Sequence, residues 1–383
     1  MIYLDYAATS WPKPAACIRA MEEFLVDMGS NPSYSRHQRA IKGEEIINQA
    51  RKDVGWVLGA KNPEHVIFTL NATSALNLAI NGFLKPGNRI ITSNFEHCSV
   101  ARPLVLLAKK HGMKIERIGD PKTGVITEED IHKSLEKEPA NLFAVVHASN
   151  VTGTIQPIDQ LVKAAHSHGC AVLLDTAQTA GVLPINADKW EIDFLAFSGH
   201  KHLLGPMGVG GLYIRDPEML DPVVIGSTGY FDSDDNMPEC LPNRYEAGTH
   251  NAPGIAALGA TCRAIREKGI ASIRKDHQDL TRRVIQAFGK IPNLKLYGPT
   301  DARKKVGVLS FNIEKLKPED VGNRLDTRFD IMVRTGLCSA HWAHESLGTL
   351  PDGVVRASLG YFTKEEETDL LIEAVEMIAS EAN

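Results

Sequence analysis

Short apolar runs rich in β-branched residues alternate along this chain with longer stretches whose apolar positions recur at helical spacing. Seven runs predict strands: Val66–Thr69, Arg89–Ser93, Lys114–Ile118, Leu142–His147, Ala171–Asp175, Phe194–Ser198 and Gly211–Ile214. Between them, Ser74–Leu84, Ser99–His111 and Ile158–His168 read as helices. This rhythm predicts an α/β fold around a mainly parallel seven-stranded sheet, and in such sheets ligands bind beyond the carboxyl ends of the strands. The rhythm then breaks. The stretch from Asp216 to Asn251 is rich in Asp, Pro and Gly and too long for a simple connection, which predicts a functional loop. From Ala252 two long helices lead into strands and helices in α+β order. The expected division is a large domain of 21–251 and a smaller one built from 1–20 and 252–383.

With 383 residues, 43% of them hydrophobic, the chain can bury a large core. A net charge of −5 and the lack of a basic stripe with interleaved aromatics argue against nucleic acid as a partner. No segment reads as a membrane span or a leader, so a cytoplasmic protein acting on small molecules is expected. The six cysteines (Cys17, Cys98, Cys170, Cys240, Cys262, Cys338) show no paired spacing, which predicts neither a zinc site nor a disulfide framework.

The densest chemistry follows the sixth strand, in Phe197-Ser198-Gly199-His200-Lys201-His202-Leu203-Leu204-Gly205. A lone lysine in a loop is ordinarily solvated; the company of Lys201 argues otherwise. Glycines 205, 208, 210 and 211 allow tight turns near a bound group, and a lysine whose pKa is lowered by its pocket can form a Schiff base with an aldehyde. The preceding strand ends in Asp175-Thr176-Ala177-Gln178, and a carboxylate at a buried strand end needs a partner, or else serves as a helix cap. Pyridoxal phosphate satisfies both residues: its aldehyde takes the lysine, and its pyridine nitrogen, which must stay protonated to act as an electron sink, takes the carboxylate.

Further strand ends fit the same cofactor. Thr73 and Ser74 open a helix and are candidates for its phosphate or, equally, for a helix cap. His97, in Asn94-Phe95-Glu96-His97, offers an imidazole to stack on the ring. Asn150, in Asn150-Val151-Thr152-Gly153, and Gln178 offer hydrogen bonds to the ring oxygen, although turns at strand ends explain the former nearly as well.

Together with Asp5-Tyr6-Ala7-Ala8-Thr9, Glu246-Ala247-Gly248-Thr249 and Arg334-Thr335-Gly336, these motifs resemble the class V aminotransferase family, in its cysteine desulfurase and selenocysteine lyase branch, from residue 3 to about 375. The resemblance implies a pyridoxal phosphate enzyme of fold type I that works as a homodimer. It makes Lys201 the Schiff-base lysine, Asp175 the partner of the pyridine nitrogen and His97 the stacking ring, with Gln178 and Asn150 at the ring oxygen. Thr73, Ser198 and His200 would bind the phosphate, and Thr249 that of the neighbouring subunit. Arg356 would clamp the substrate carboxylate.

One position departs from the family pattern. Group-two desulfurases carry their nucleophilic cysteine five positions after the arginine of Arg-Thr-Gly; here that position is Ser339, and Cys338 stands one before it. On an extended segment a one-residue shift turns the side chain to the opposite face. Two enzymatic readings follow. In one, L-cysteine or selenocysteine yields alanine with sulfur transferred to Cys338, for delivery to an acceptor protein. In the other, a C–S or C–Se lyase expels its leaving group without a cysteine, with His341 or His344 available as a proton donor. A non-catalytic cofactor-binding scaffold for sulfur transfer stands as the alternative from another class.

Overall fold

The computed structural model describes residues 1–32, 35–229 and 235–382. Strand β1 (Ile2–Tyr3) and helices α1 (Ala15–Glu23) and α2 (Gln38–Leu58) precede the main sheet. Its strands are β2 (Val66–Thr69), β3 (Arg89–Ser93), β4 (Lys114–Ile118), β5 (Leu142–Val146), β6 (Ala171–Asp175), β7 (Phe194–Ser198) and β8 (Gly210–Ile214), joined in part by α3 (Ala72–Phe83), α4 (Cys98–His111), α5 (Glu128–Lys137) and α6 (Ile158–His166). The strand order is β2-β8-β7-β6-β5-β3-β4, and β8 alone runs antiparallel to its neighbours. All seven predicted strands form, within a residue at each end.

The strands read as unbroken apolar runs because both faces of the sheet are covered. Successive residues go to opposite cores. Ile67, Ile90, Leu142 and Leu173 pack under α3 and α4, whereas Phe68, Ile91, Phe143 and Leu174 pack under α2, α6 and α7 (Ala252–Lys268). Gly211 opens the predicted strand, and Gly210, expected in a turn, joins it within β8. A Cβ on Gly211 would stand 2.4 Å from the ring of Phe197, so the strand can pass only as glycine. Gly208, with φ of +80°, makes the turn.

Beyond α7 and α8 (Ile270–Phe288) comes β9 (Leu294–Tyr297), then β10 (Val308–Ile313), α9 (Pro318–Phe329), β11 (Ile331–Met332), β12 (Arg334–Gly336), α10 (His341–Leu347), β13 (Val354–Ser358) and α11 (Glu365–Ser380). An antiparallel sheet of order β12-β13-β10-β9 forms there, while β1 pairs in parallel with β11. Ile2 and Leu4 share a core with Val284, Phe288 and the C-terminal elements. The sequence break at Asn251 is the N-cap of α7, whose Ile255, Leu258 and Ile265 belong to the main core. The passage from one core to the other therefore runs along α8. No described helix is long and apolar enough to cross a membrane.

Candidate active site

The carboxyl ends of β2, β3, β5, β6 and β7 open on one cavity of about 290 Å³, closed from the other side by the N-terminal segment and by β12 and β13. Ten of the predicted residues line it: Thr73, His97, Asn150, Asp175, Gln178, Ser198, His200, Lys201, Cys338 and Arg356. Two do not. Ser74 and Thr249 line a neighbouring groove of about 440 Å³, and the Asn31 side chain donates to Thr249 at 3.3 Å. The α3 cap is Asn71, whose side chain accepts from the Ser74 backbone N–H at 3.0 Å; Thr73 is thus free of capping and instead meets Ser99 Oγ at 2.7 Å.

Lys201 follows β7 and Asp175 ends the adjacent β6, and both line the cavity. Burial lowers the Lys201 amine to a pKa of about 8; Asp175 holds it up, while Arg356 and Arg334 push it down further. Burial raises the Asp175 carboxyl, against the backbone N–H of Ala177, which donates at 2.8 Å, and the charge of Lys201. His97 caps α4: its Nδ1 accepts from the Ser99 N–H at 3.1 Å, which leaves the ring proton on Nε2. Burial, and then the cations Lys201 and Arg334, bring it down to about 4, so the ring is neutral at physiological pH.

Arg356 is buried. Its Nη2 donates to Asp5 at 2.7 Å and its Nη1 to the Asn150 carbonyl at 3.1 Å, leaving Nε without a partner. Gln178 Oε1 and Asn150 Oδ1 are likewise buried without donors. Orphaned polar atoms are uncommon in folded interiors, and three around one cavity mark a place for a polar ligand. Two contributors went unassigned in the sequence. Arg334 lines the cavity opposite Arg356 in the β12–β13 register, and Asp5 anchors Arg356. Both stood in quoted motifs, but only the register shows that the two arginines are cross-strand neighbours.

The segment after β12 is not extended. Cys338 and Ser339 both adopt left-handed backbone, with φ of +46° and +57°. The turn is held by Asn150, whose amide donates to the Cys338 carbonyl at 2.7 Å, and by the Cys98 N–H, which donates to the Ser339 carbonyl at 2.7 Å. It turns Cys338 into the cavity lining, where an extended chain would have turned it away, and Ser339 is not among the lining residues. Burial raises the Cys338 thiol, and Arg356 and Arg334 work against that rise. His344 is buried, bonded through Nδ1 to Thr349 at 2.7 Å, and lines no part of the cavity; nor does His341.

A central sheet with a lysine and a carboxylate at adjacent strand ends defines a class of enzyme. The chain matches the class-V aminotransferase family model over residues 2–371 and belongs to that family. Within it, the chain is 32% identical to a probable cysteine desulfurase of Methanothermobacter thermautotrophicus, covering 99% of this chain and 94% of that one. It is 34% identical to a probable cysteine desulfurase of Pyrococcus abyssi, covering 98% and 94%. Among solved structures, the apo cysteine desulfurase of Thermococcus onnurineus superposes with a TM-score of 0.93 at 34% identity, over 99% of this chain and 95% of that chain.

Proposed function

We propose that this enzyme is a cysteine desulfurase that binds pyridoxal phosphate around Lys201 and takes the sulfur of L-cysteine, or the selenium of selenocysteine, onto Cys338. The observation that carries the reading is the convergence on one cavity of a buried amine, a buried carboxylate, two guanidinium groups and a thiol. The cofactor matches what that cavity leaves unpaired. Asp175 has a single backbone donor, and a protonated pyridine nitrogen is the cation it lacks. Gln178 and Asn150 would turn their amide N–H groups to the ring oxygen, His97 its neutral face to the ring, and Thr73, Ser198 and His200 their polar groups to the phosphate.

When bound, the cofactor supplies an electron sink for bond breaking at the α-carbon of an amino acid. Lys201, free base over a useful range because of its lowered pKa, takes the Cα proton. Arg356, fixed by Asp5, turns its free Nε and remaining protons to the substrate carboxylate. Cys338 Sγ, as thiolate, attacks the substrate sulfur: an S–S bond forms, the Cβ–S bond breaks with its electron pair going to carbon, Cβ takes up a proton, and Lys201 returns a proton to Cα as alanine leaves. The two arginines favour the thiolate that burial disfavours.

The homodimer is part of the same proposal. Thr249 lies outside the cavity of its own chain, in a groove shared with Leu70, Val223 and Val224, all exposed; a second copy seated there would bring Thr249 to the neighbouring phosphate. An acceptor protein would collect the sulfur.

The test is peptide mass spectrometry after incubation with L-cysteine and no reductant, with alanine quantified. One extra sulfur on Cys338 and stoichiometric alanine are expected. Burial of Cys338 in an apolar cluster with Phe95 and Val354 favours a second reading, a C–S lyase. Turnover with Cys338 unmodified would select it. A colour change on adding amino acid separates either enzyme from a static scaffold.

A further inference from the structure

Beside the amino end of β6, His132, Glu136 and His168 each bring one ligand atom within 4.8 Å of the other two. His132 and Glu136 are one turn apart on α5 and share a face, while His168 stands in the turn between α6 and β6. We propose that these three side chains bind a single divalent transition-metal ion, Zn2+ by their chemistry, with water completing the coordination.

The backbone is fixed before any ion arrives. Helix α5 starts with a capping box in which Thr127 and Asp130 serve each other, and the His168 N–H donates to the Ala165 carbonyl at 3.1 Å, ahead of Gly169 at φ of +69°. His132 Nδ1 and His168 Nε2 are 2.9 Å apart. Two nitrogens bound tetrahedrally at 2.0–2.1 Å stand about 3.3 Å from each other, so that pair need open by only a few tenths of an ångström, while the exposed Glu136 side chain, within 4.8 Å, swings in to complete the set. A hydrogen bond between the rings accounts for that pair but not for Glu136. Its carboxylate approaches both imidazoles yet makes no hydrogen bond or ion pair with any described residue. Two imidazoles and one carboxylate form a donor set suited to zinc, whereas magnesium and calcium prefer oxygen alone. Cysteine spacing, which predicts no zinc site, does not bear on this cluster, because it uses no cysteine. The site bridges α5 to the entrance of β6, at the opposite end of that strand from Asp175, and shares no residue with the active-site cavity, so an ion there would act as a surface tie.

Titration of the cofactor-loaded enzyme with Zn2+ in a non-chelating buffer, repeated with Co2+ for its visible spectrum, tests the proposal. The expected result is one saturable equivalent, no thiolate-to-metal charge-transfer band, and loss of binding in His132→Ala and His168→Ala. Glu136→Gln should weaken binding roughly tenfold or more. His132→Gln, which keeps a hydrogen-bonding side chain, should lose binding even if His132→Ala folds poorly. Absence of saturable binding, a thiolate band, or unchanged affinity in His132→Gln or His168→Ala would overturn the site. Unchanged affinity in Glu136→Gln would overturn the three-ligand assignment.

Discussion

The lowered pKa of Lys201 sets how the apoprotein should capture its cofactor as pH changes. Only the neutral amine attacks an aldehyde. At pH 7.5 a lysine with the ordinary pKa of 10.5 is about 0.1% free base, while one lowered to about 8 is about a quarter free base, a gain of roughly 240-fold. The shape of the pH dependence is the sharper test. With a pKa of about 8, the reactive fraction grows from about 76% to 97% between pH 8.5 and 9.5, only about 1.3-fold, whereas an ordinary lysine gains nearly tenfold over that interval. The assay is the initial rate at which apoprotein and excess pyridoxal phosphate develop the absorbance of the lysine-bound cofactor. Lys201→Ala should develop none. Asp175→Asn removes the anion that holds the lysine charge, so its plateau should begin at lower pH even as final affinity falls. A rate that still climbs nearly tenfold between pH 8.5 and 9.5 would refute the claim that burial and the two arginines depress this amine.

Arg356→Ala should raise the KM for L-cysteine by about 30–150-fold, the equivalent of losing about 2–3 kcal/mol of charge-assisted hydrogen bonding, with a smaller change in kcat. Steady-state alanine production reads this, and an unchanged KM would move the carboxylate clamp to Arg334. Lys305 is fully buried with no partner for Nζ among the described residues, and burial lowers its pKa to about 7. The unfolded chain keeps the ordinary value, so between about 7 and 10.5 the unfolded state binds more protons and stability rises with pH. Lys305→Met should therefore stabilise the protein by about 1–4 kcal/mol at pH 6 and by less at pH 9, measured by urea denaturation; an equal gain at both would show that the buried lysine keeps its ordinary pKa. Glu96 is the opposite case. Burial raises it to about 8, so its contribution to stability is full below pH 4.5 and is lost as pH rises through about 8. Glu96→Gln should be nearly neutral at low pH and gain on the wild type as pH rises; a constant difference would refute the shift.

What the sequence disclosed and what it withheld divide along a physical line. Strands buried on both faces announce themselves as apolar runs, and turn chemistry marks where they end. The sheet and the strand-end residues His97, Asn150, Asp175 and Lys201 were therefore legible together. Relations between elements distant in sequence were not. The Arg334–Arg356 pairing needs the β12–β13 register, and the choice of Asn71 over Thr73 as helix cap depends on backbone angles at that one residue. The nucleophile loop shows the limit most clearly. Left-handed backbone is expected of glycine, so nothing in Leu337-Cys338-Ser339-Ala340 announces two such residues in succession. The turn exists because contacts from two separate strand ends hold it: the Asn150 amide on the Cys338 carbonyl and the Cys98 N–H on the Ser339 carbonyl. Counting positions from Arg334 presumes an extended chain and lands on Ser339. With the turn in place, the side chain that reaches the cavity is that of Cys338, so a displacement of one residue in sequence need not displace the thiol from the chemistry.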